Sequence, residues 1–157
     1  MPAFAVLTTR RDWAKTTDAD WAAVVDRMPL FAQLGKRHLR KVTRNAEFAA
    51  FVPGDIVLLE NAPGDFFYVV LSGEAEVRDS AHVRRVGPGE YFGETALLNG
   101  TGASASVVAT DELEVMRLPG REFVRLVQAS PLVASAMLRD LGGRARRREH
   151  RPLFGAA

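Results

Sequence analysis

Along the chain, apolar and polar positions fall into three textures. Residues 1–16 show no period and several polar or charged positions, so they read as an arm that gains order only by packing on something else. From residue 17 a helical spacing sets in: Trp21, Val24, Val25 and Met28 line up behind a Thr17 or Asp18 cap, and Pro29 closes the run. Phe31, Leu34, Leu39 and Val42 form a second short stripe with lysines and arginines between them. Residues 17–45 are therefore expected to be N-terminal helices.

Residues 46–118 change character. Short apolar or alternating runs (IVLLE, FFYVVLSG, EAEVR, HVRRV, SASVVAT, ELEVMRL) have strand length, and Pro-Gly pairs stand at 53–54, 63–64, 88–89 and 119–120. Proline presets the first central position of a turn and glycine supplies the positive φ that a type II turn needs at the second, so each pair predicts a corner. Ala75 and Val77 alternate with Glu74, Glu76 and Arg78, giving one dry and one wet face. Many short strands at about ten-residue spacing predict a mainly β fold with flanking α: a jelly roll, or double-stranded β-helix, bracketed by N-terminal and C-terminal helices.

Over residues 119–157 the helical period returns. Phe123, Leu126 and Val127 share a face. Ser130 caps a following helix that starts at Pro131 and buries Val133, Met137 and Leu141, before Gly142-Gly143 weaken or bend it. Residues 139–151 hold six arginines against Asp140 and Glu149, a basic tail. Such a tail can meet nucleic acid or an acidic partner, but arginines on a last helical turn also satisfy carbonyls and oppose the helix dipole.

Composition narrows the function class. The chain has 157 residues, 47% of them hydrophobic, enough for one core. No apolar run reaches the roughly 20 residues that cross a bilayer, so no membrane insertion and a cytoplasmic location are expected. There is no cysteine, which excludes disulfides, thiolate zinc sites and a cysteine nucleophile. His38, His82 and His150 are scattered without metal-ligand spacing, so no metal is implied. Glu74 and Glu76 alternate on a strand as a solvated face, no GxSxG elbow occurs, and the chain is not read as an enzyme. Gly100 to Ala105 fits a loose GxGxxA pattern, but a dinucleotide loop follows a strand and opens a helix, the reverse of the order here. Phe66, Phe67 and Tyr68 are expected to divide between core and surface.

One stretch breaks the strand rhythm: YFGETALLNGTGASASVVA, with residues 91–107 its chemical part. Gly93 lets the backbone turn, Glu94 opens a short helical turn from Thr95 to Leu98, and small residues from Gly100 to Ser106 keep the wall low. Unsatisfied amides at a helix start beside glycine form a cradle for an anion. A helical corner of the roll without a ligand has the same composition.

In this stretch the sequence resembles the cyclic nucleotide-binding domain family, whose phosphate-binding cassette reads F-G-E-x-A-L and then P-R-x-A-x-V. Phe92, Gly93, Glu94, Ala96 and Leu97 match the first half, and Ala105 and Val107 match the end. Pro53-Gly54-Asp55, Pro63-Gly64-Asp65, Leu71-Ser72-Gly73-Glu74 and Gly87-Pro88-Gly89 are similar to the family's strand corners, so roughly residues 25–148 are covered. The resemblance implies that Glu94 accepts a hydrogen bond from a ribose 2′-hydroxyl and that amides near Gly93, Ala96 and Leu97 hold a cyclic phosphate, with Thr95 in the same ligand-binding stretch and Ser104 adjacent. It also implies a departure. The family's phosphate-pairing arginine aligns with Ala103, and the proline before it with Gly102. Truncating one partner of a buried charged pair costs about 2–5 kcal/mol, a loss of roughly 30-fold to several thousand-fold in affinity.

Three readings accommodate that loss. In the first, a sensor domain binds cAMP weakly, with Ser104, Ser106, the cradle amides, Arg84 or Arg85 replacing the arginine; Ala105, where cGMP-preferring members tend to carry threonine, favours cAMP over cGMP. In the second, a degenerate roll serves as a protein-interaction or dimerisation module. In the third, the chain is an accessory protein of a transcription regulator, a role disfavoured because no helix-turn-helix is present. No cofactor is required, and an effector protein or second subunit is the expected partner.

Overall fold

In the computed structural model, which describes residues 14, 15, 34, 35, 37, 40 and 44–139, the alternating segments become strands of two antiparallel sheets. In chain order these are β1 (Ala14–Lys15), β2 (Glu47–Phe51), β3 (Ile56–Leu58), β4 (Phe66–Ser72), β5 (Ala75–Arg78), β6 (Val83–Val86), β7 (Tyr91–Phe92), β8 (Ser106–Ala109) and β9 (Leu113–Pro119). Helix α1 (Glu94–Asn99) interrupts them, α2 (Gly120–Ala129) follows β9, and α3 occupies residues 131–139. The larger sheet runs β1-β2-β9-β4-β7 and the smaller β3-β8-β5-β6. This is the β-roll with C-terminal helices that the alternation predicts. Of the expected N-terminal helices residues 34, 35, 37, 40, 44 and 45 are described: 37 and 40 are helical, and 34, 35, 44 and 45 are not; Trp21, Val24, Val25, Met28, Phe31, Leu39 and Val42 lie outside the described residues, as do Leu141, Gly142-Gly143 and the basic tail beyond Arg139.

The strand β4 explains why FFYVVL is apolar at every position. Its alternate residues Phe67 and Val69 join a core with Met116, Leu118, Phe123, Leu126, Val133 and Met137, between the larger sheet and the C-terminal helices. Its other face gives Tyr68 and Val70 to a second core, with Phe51, Val86, Phe92, Val107 and Val115, between the two sheets. A strand covered on both faces reads as a continuous apolar run. Phe66, Phe67 and Tyr68 thus divide between two cores and not between core and surface: Phe67 stacks on Phe123 at 4.2 Å, Tyr68 on Phe92 at 4.9 Å, and the Arg117 guanidinium sits 3.9 Å over the Phe66 ring.

Within the N-terminal arm Ala14 and Lys15 are ordered by pairing with Phe48 and Glu47 of β2. One further expectation changes. The four Pro-Gly pairs serve two purposes. Gly54 and Gly89 have φ of 96° and 84°, as a type II corner requires, whereas Gly64 and Gly120 do not adopt positive φ. They are glycine because α1 packs on them: a Cβ at Gly64 would stand 2.5 Å from the Ala96 Cβ, and one at Gly120 2.5 Å from Leu97 Cδ2.

Helix α3 starts where its cap predicts. The Ser130 hydroxyl accepts a hydrogen bond from the Val133 amide at 3.3 Å, and the buried Val133 and Met137 hold α3 on the first core. No helix among the described residues is long and apolar enough to cross a membrane.

Candidate functional site

The site begins with the chain reversal after β7. Gly93 caps α1 with φ 89°, and a Cβ there would lie 2.8 Å from the Phe66 carbonyl and 3.1 Å from the Tyr68 ring. Both the backbone angle and the close approach call for glycine. The reversal presents the first turn of α1, from Glu94 to Ala96, to the space between α1 and the smaller sheet. Glu94 is 4% exposed, a buried carboxylate at a helix start.

Opposite α1, residues 100–105 are pinned to the turn that precedes β4. The Asn61 amide donates to the Ala103 carbonyl and the Ala103 amide to the Ala62 carbonyl, each at 2.8 Å, while the Thr101 amide closes on the Ala96 carbonyl at 3.0 Å. Gly102 faces this turn so closely that a Cβ would come within 2.8 Å of the Asn61 carbonyl oxygen. Small residues here allow two backbones to touch, and that contact sets the wall of the site.

Between these walls lies a cavity of about 230 Å³. From the cassette it is lined by Phe92, Gly93, Glu94, Thr95 and Ala96 on one side and by Ala103, Ser104 and Ala105 on the other. The smaller sheet adds Leu58, Val77, Asp79, Arg84 and Val107. The floor is apolar and the charged groups are few, the general character of a small-molecule site.

Of the residues singled out in the sequence, the cavity brings together Phe92, Gly93, Glu94, Thr95, Ala96, Ala103, Ser104, Ala105 and Arg84. Three lie elsewhere. Leu97 points away from the cavity into an open groove with Gly120 and Val124, against the first core, because residues 96 and 97 occupy different faces of α1. The Ser106 hydroxyl accepts the Glu60 amide at 2.9 Å, which ties β8 to the turn that follows β3. The Arg85 side chain is 70% exposed and lies 3.9 Å from Glu74, on the outer face of the hairpin.

The Arg84 and Arg85 difference follows from strand alternation. In the β5–β6 register Val77 faces Arg84, and Glu76 faces Arg85. Val77 points to the second core, so Arg84 shares the inner face and Arg85 the outer one. The same logic places Asp79, two residues beyond Val77, on the inner face. Sequence reading missed Asp79, Leu58 and Val77. The register was the signal available: the four residues Asp79 to His82 close a tight hairpin, through an Asp79 amide bond to the His82 carbonyl at 3.0 Å, and that closure fixes which residues look inward.

Comparison with known proteins gives the same picture. Residues 49–130 match the family model described as the cyclic nucleotide-binding domain. A cAMP-dependent protein kinase regulatory subunit of Hypocrea atroviridis is 35% identical over 104 residues, 66% of this chain and 22% of that protein. A cyclic nucleotide-gated potassium channel of Mesorhizobium japonicum is 32% identical over 111 residues, 71% of this chain and 31% of that protein. Among solved structures, cAMP-bound PfPKA-R superposes with a TM-score of 0.72 at 21% identity, covering 82% of this chain and 45% of that one; at this identity the likeness is one of fold. The match spans less than a third of either relative.

Proposed function

Because the chain belongs to the cyclic nucleotide-binding domain family, a family of regulatory binding modules and not of catalysts, we propose that the cavity beneath α1 binds a cyclic nucleotide, cAMP before cGMP, and that Arg84 supplies the cation that position 103 lacks. The observation that carries this reading is the position of Arg84: it lies on the cavity wall together with Gly93, Glu94 and Ala103. In this arrangement Glu94 accepts a ribose hydroxyl, amides at the start of α1 face the phosphate, and the charge comes from β6 instead of the cassette. A guanidinium brings several donors in a fixed fork, so it serves an anion from a new position as long as it reaches the same space.

The output is mechanical. Leu97 on α1 lies against Gly120 at the start of α2, and the Gly120 amide bonds the Asp65 carbonyl at 2.7 Å. A ligand that moves α1 therefore acts on the helix leading to α3, and through it on an effector protein or a second subunit.

Calorimetric titration with cAMP and cGMP up to millimolar concentration tests the reading. The expected result is saturable heat for the native protein, stronger for cAMP, with affinity reduced about tenfold or more in Glu94→Ala and in Arg84→Gln. Silence with both nucleotides overturns it and favours the degenerate interaction module.

A further inference from the structure

We infer that Asp79 is a specificity-determining residue of the cavity, one that selects a singly charged cyclic phosphate over the doubly charged 5′-monophosphate. The inference rests on the cavity's being a nucleotide site. Three charged side chains line it among the described residues: the Arg84 guanidinium against the carboxylates of Asp79 and Glu94. Arg84 faces Val77 across the β5–β6 ladder, and Asp79 follows Val77 by two on the same face, so Asp79 and Arg84 are diagonal neighbours.

The carboxylate is fixed there by its own hairpin. Its Oδ1 accepts the Ala81 amide at 2.8 Å and the His82 amide at 2.7 Å, and His82 Nδ1 lies 3.6 Å away. One cation thus serves a wall that already carries two anions. A cyclic phosphodiester brings one more negative charge, whereas a phosphomonoester carries about −1.5 to −2 at neutral pH. The second charge meets a lining that, among the described residues, holds no further cation, and in a partly dry cavity that repulsion is weakly screened. Glu94 has a ribose role in either nucleotide, so the discriminating charge is that of Asp79.

The experiment compares cAMP with 5′-AMP by calorimetry on the native protein and on Asp79→Asn, which keeps the Oδ1 acceptor for the hairpin amides. The native protein should prefer cAMP. Asp79→Asn should tighten both ligands, 5′-AMP more, and narrow the preference by about threefold or more. A second measurement needs no substitution: near pH 5, where the monoester has largely lost its second charge, the native preference should shrink as well. A preference unchanged by Asp79→Asn overturns the role of Asp79 while leaving the nucleotide site in place, and one unchanged at the lower pH overturns the charge-based selection itself; absence of binding by either nucleotide to the native protein overturns both the site and the selection.

Discussion

Burial of the Tyr68 ring raises its hydroxyl pKa above the ordinary phenol range; the nearby Arg117, which also hydrogen bonds the hydroxyl, opposes the shift without cancelling it. A group whose pKa is raised on folding contributes stability that is complete below its unfolded value, about pH 10, and is lost as pH climbs through the folded value. Urea midpoints measured from about pH 9 to pH 11 should therefore fall more steeply for the native protein than for Tyr68→Phe. Equal slopes would contradict this account of the buried phenol. Arg117 itself pairs with Glu47 at 3.0 Å as well as covering Phe66, so the end of the roll is closed by one connected group of side chains. None of this was legible in the sequence, since Glu47, Tyr68 and Arg117 meet only through the β2–β9–β4 register. The cassette residues were legible, because Phe92 to Ala96 act as one contiguous motif whose spacing needs no long-range pairing. Arg84 was named only as one of two neighbouring arginines, and strand alternation separates them.

At the scale of elements, the Pro-Gly pairs marked the corners but not the reason for each glycine. Gly54 has open space around it and a positive φ, while Gly64 has an ordinary φ and the Ala96 side chain against it. The two substitutions to alanine should separate these causes. Gly54→Ala strains the backbone by about 1–3 kcal/mol and should leave ligand binding unchanged. Gly64→Ala costs a similar amount, about 1–3 kcal/mol, through overpacking, but it displaces α1 and should also weaken cAMP binding. Denaturant midpoints and titrations of both variants check this; equal effects on binding would show that Gly64 is a corner and nothing more. The two-residue β1 escaped notice for a related reason. A strand that short has no alternation to read, and its partner β2 lies more than thirty positions away.

For the whole molecule, periodicity delivered the architecture because the two cores impose two distinct patterns. Helices that pack on one face show a stripe, as in Phe123 and Leu126, and a strand between two cores shows an unbroken run, as in β4. What periodicity does not deliver is the cavity. That depends on which residues of β5, β6 and the cassette face the same space, a property of register and of the contact between residues 100–105 and the preceding turn. The central claim is that positive charge for the ligand has moved from the cassette to β6, and moving it back is the most direct test. Affinity for cAMP should fall about tenfold or more in Arg84→Gln and recover most of that loss when Ala103→Arg is added. Native affinity in Arg84→Gln, or a double variant no better than the single one, would contradict it.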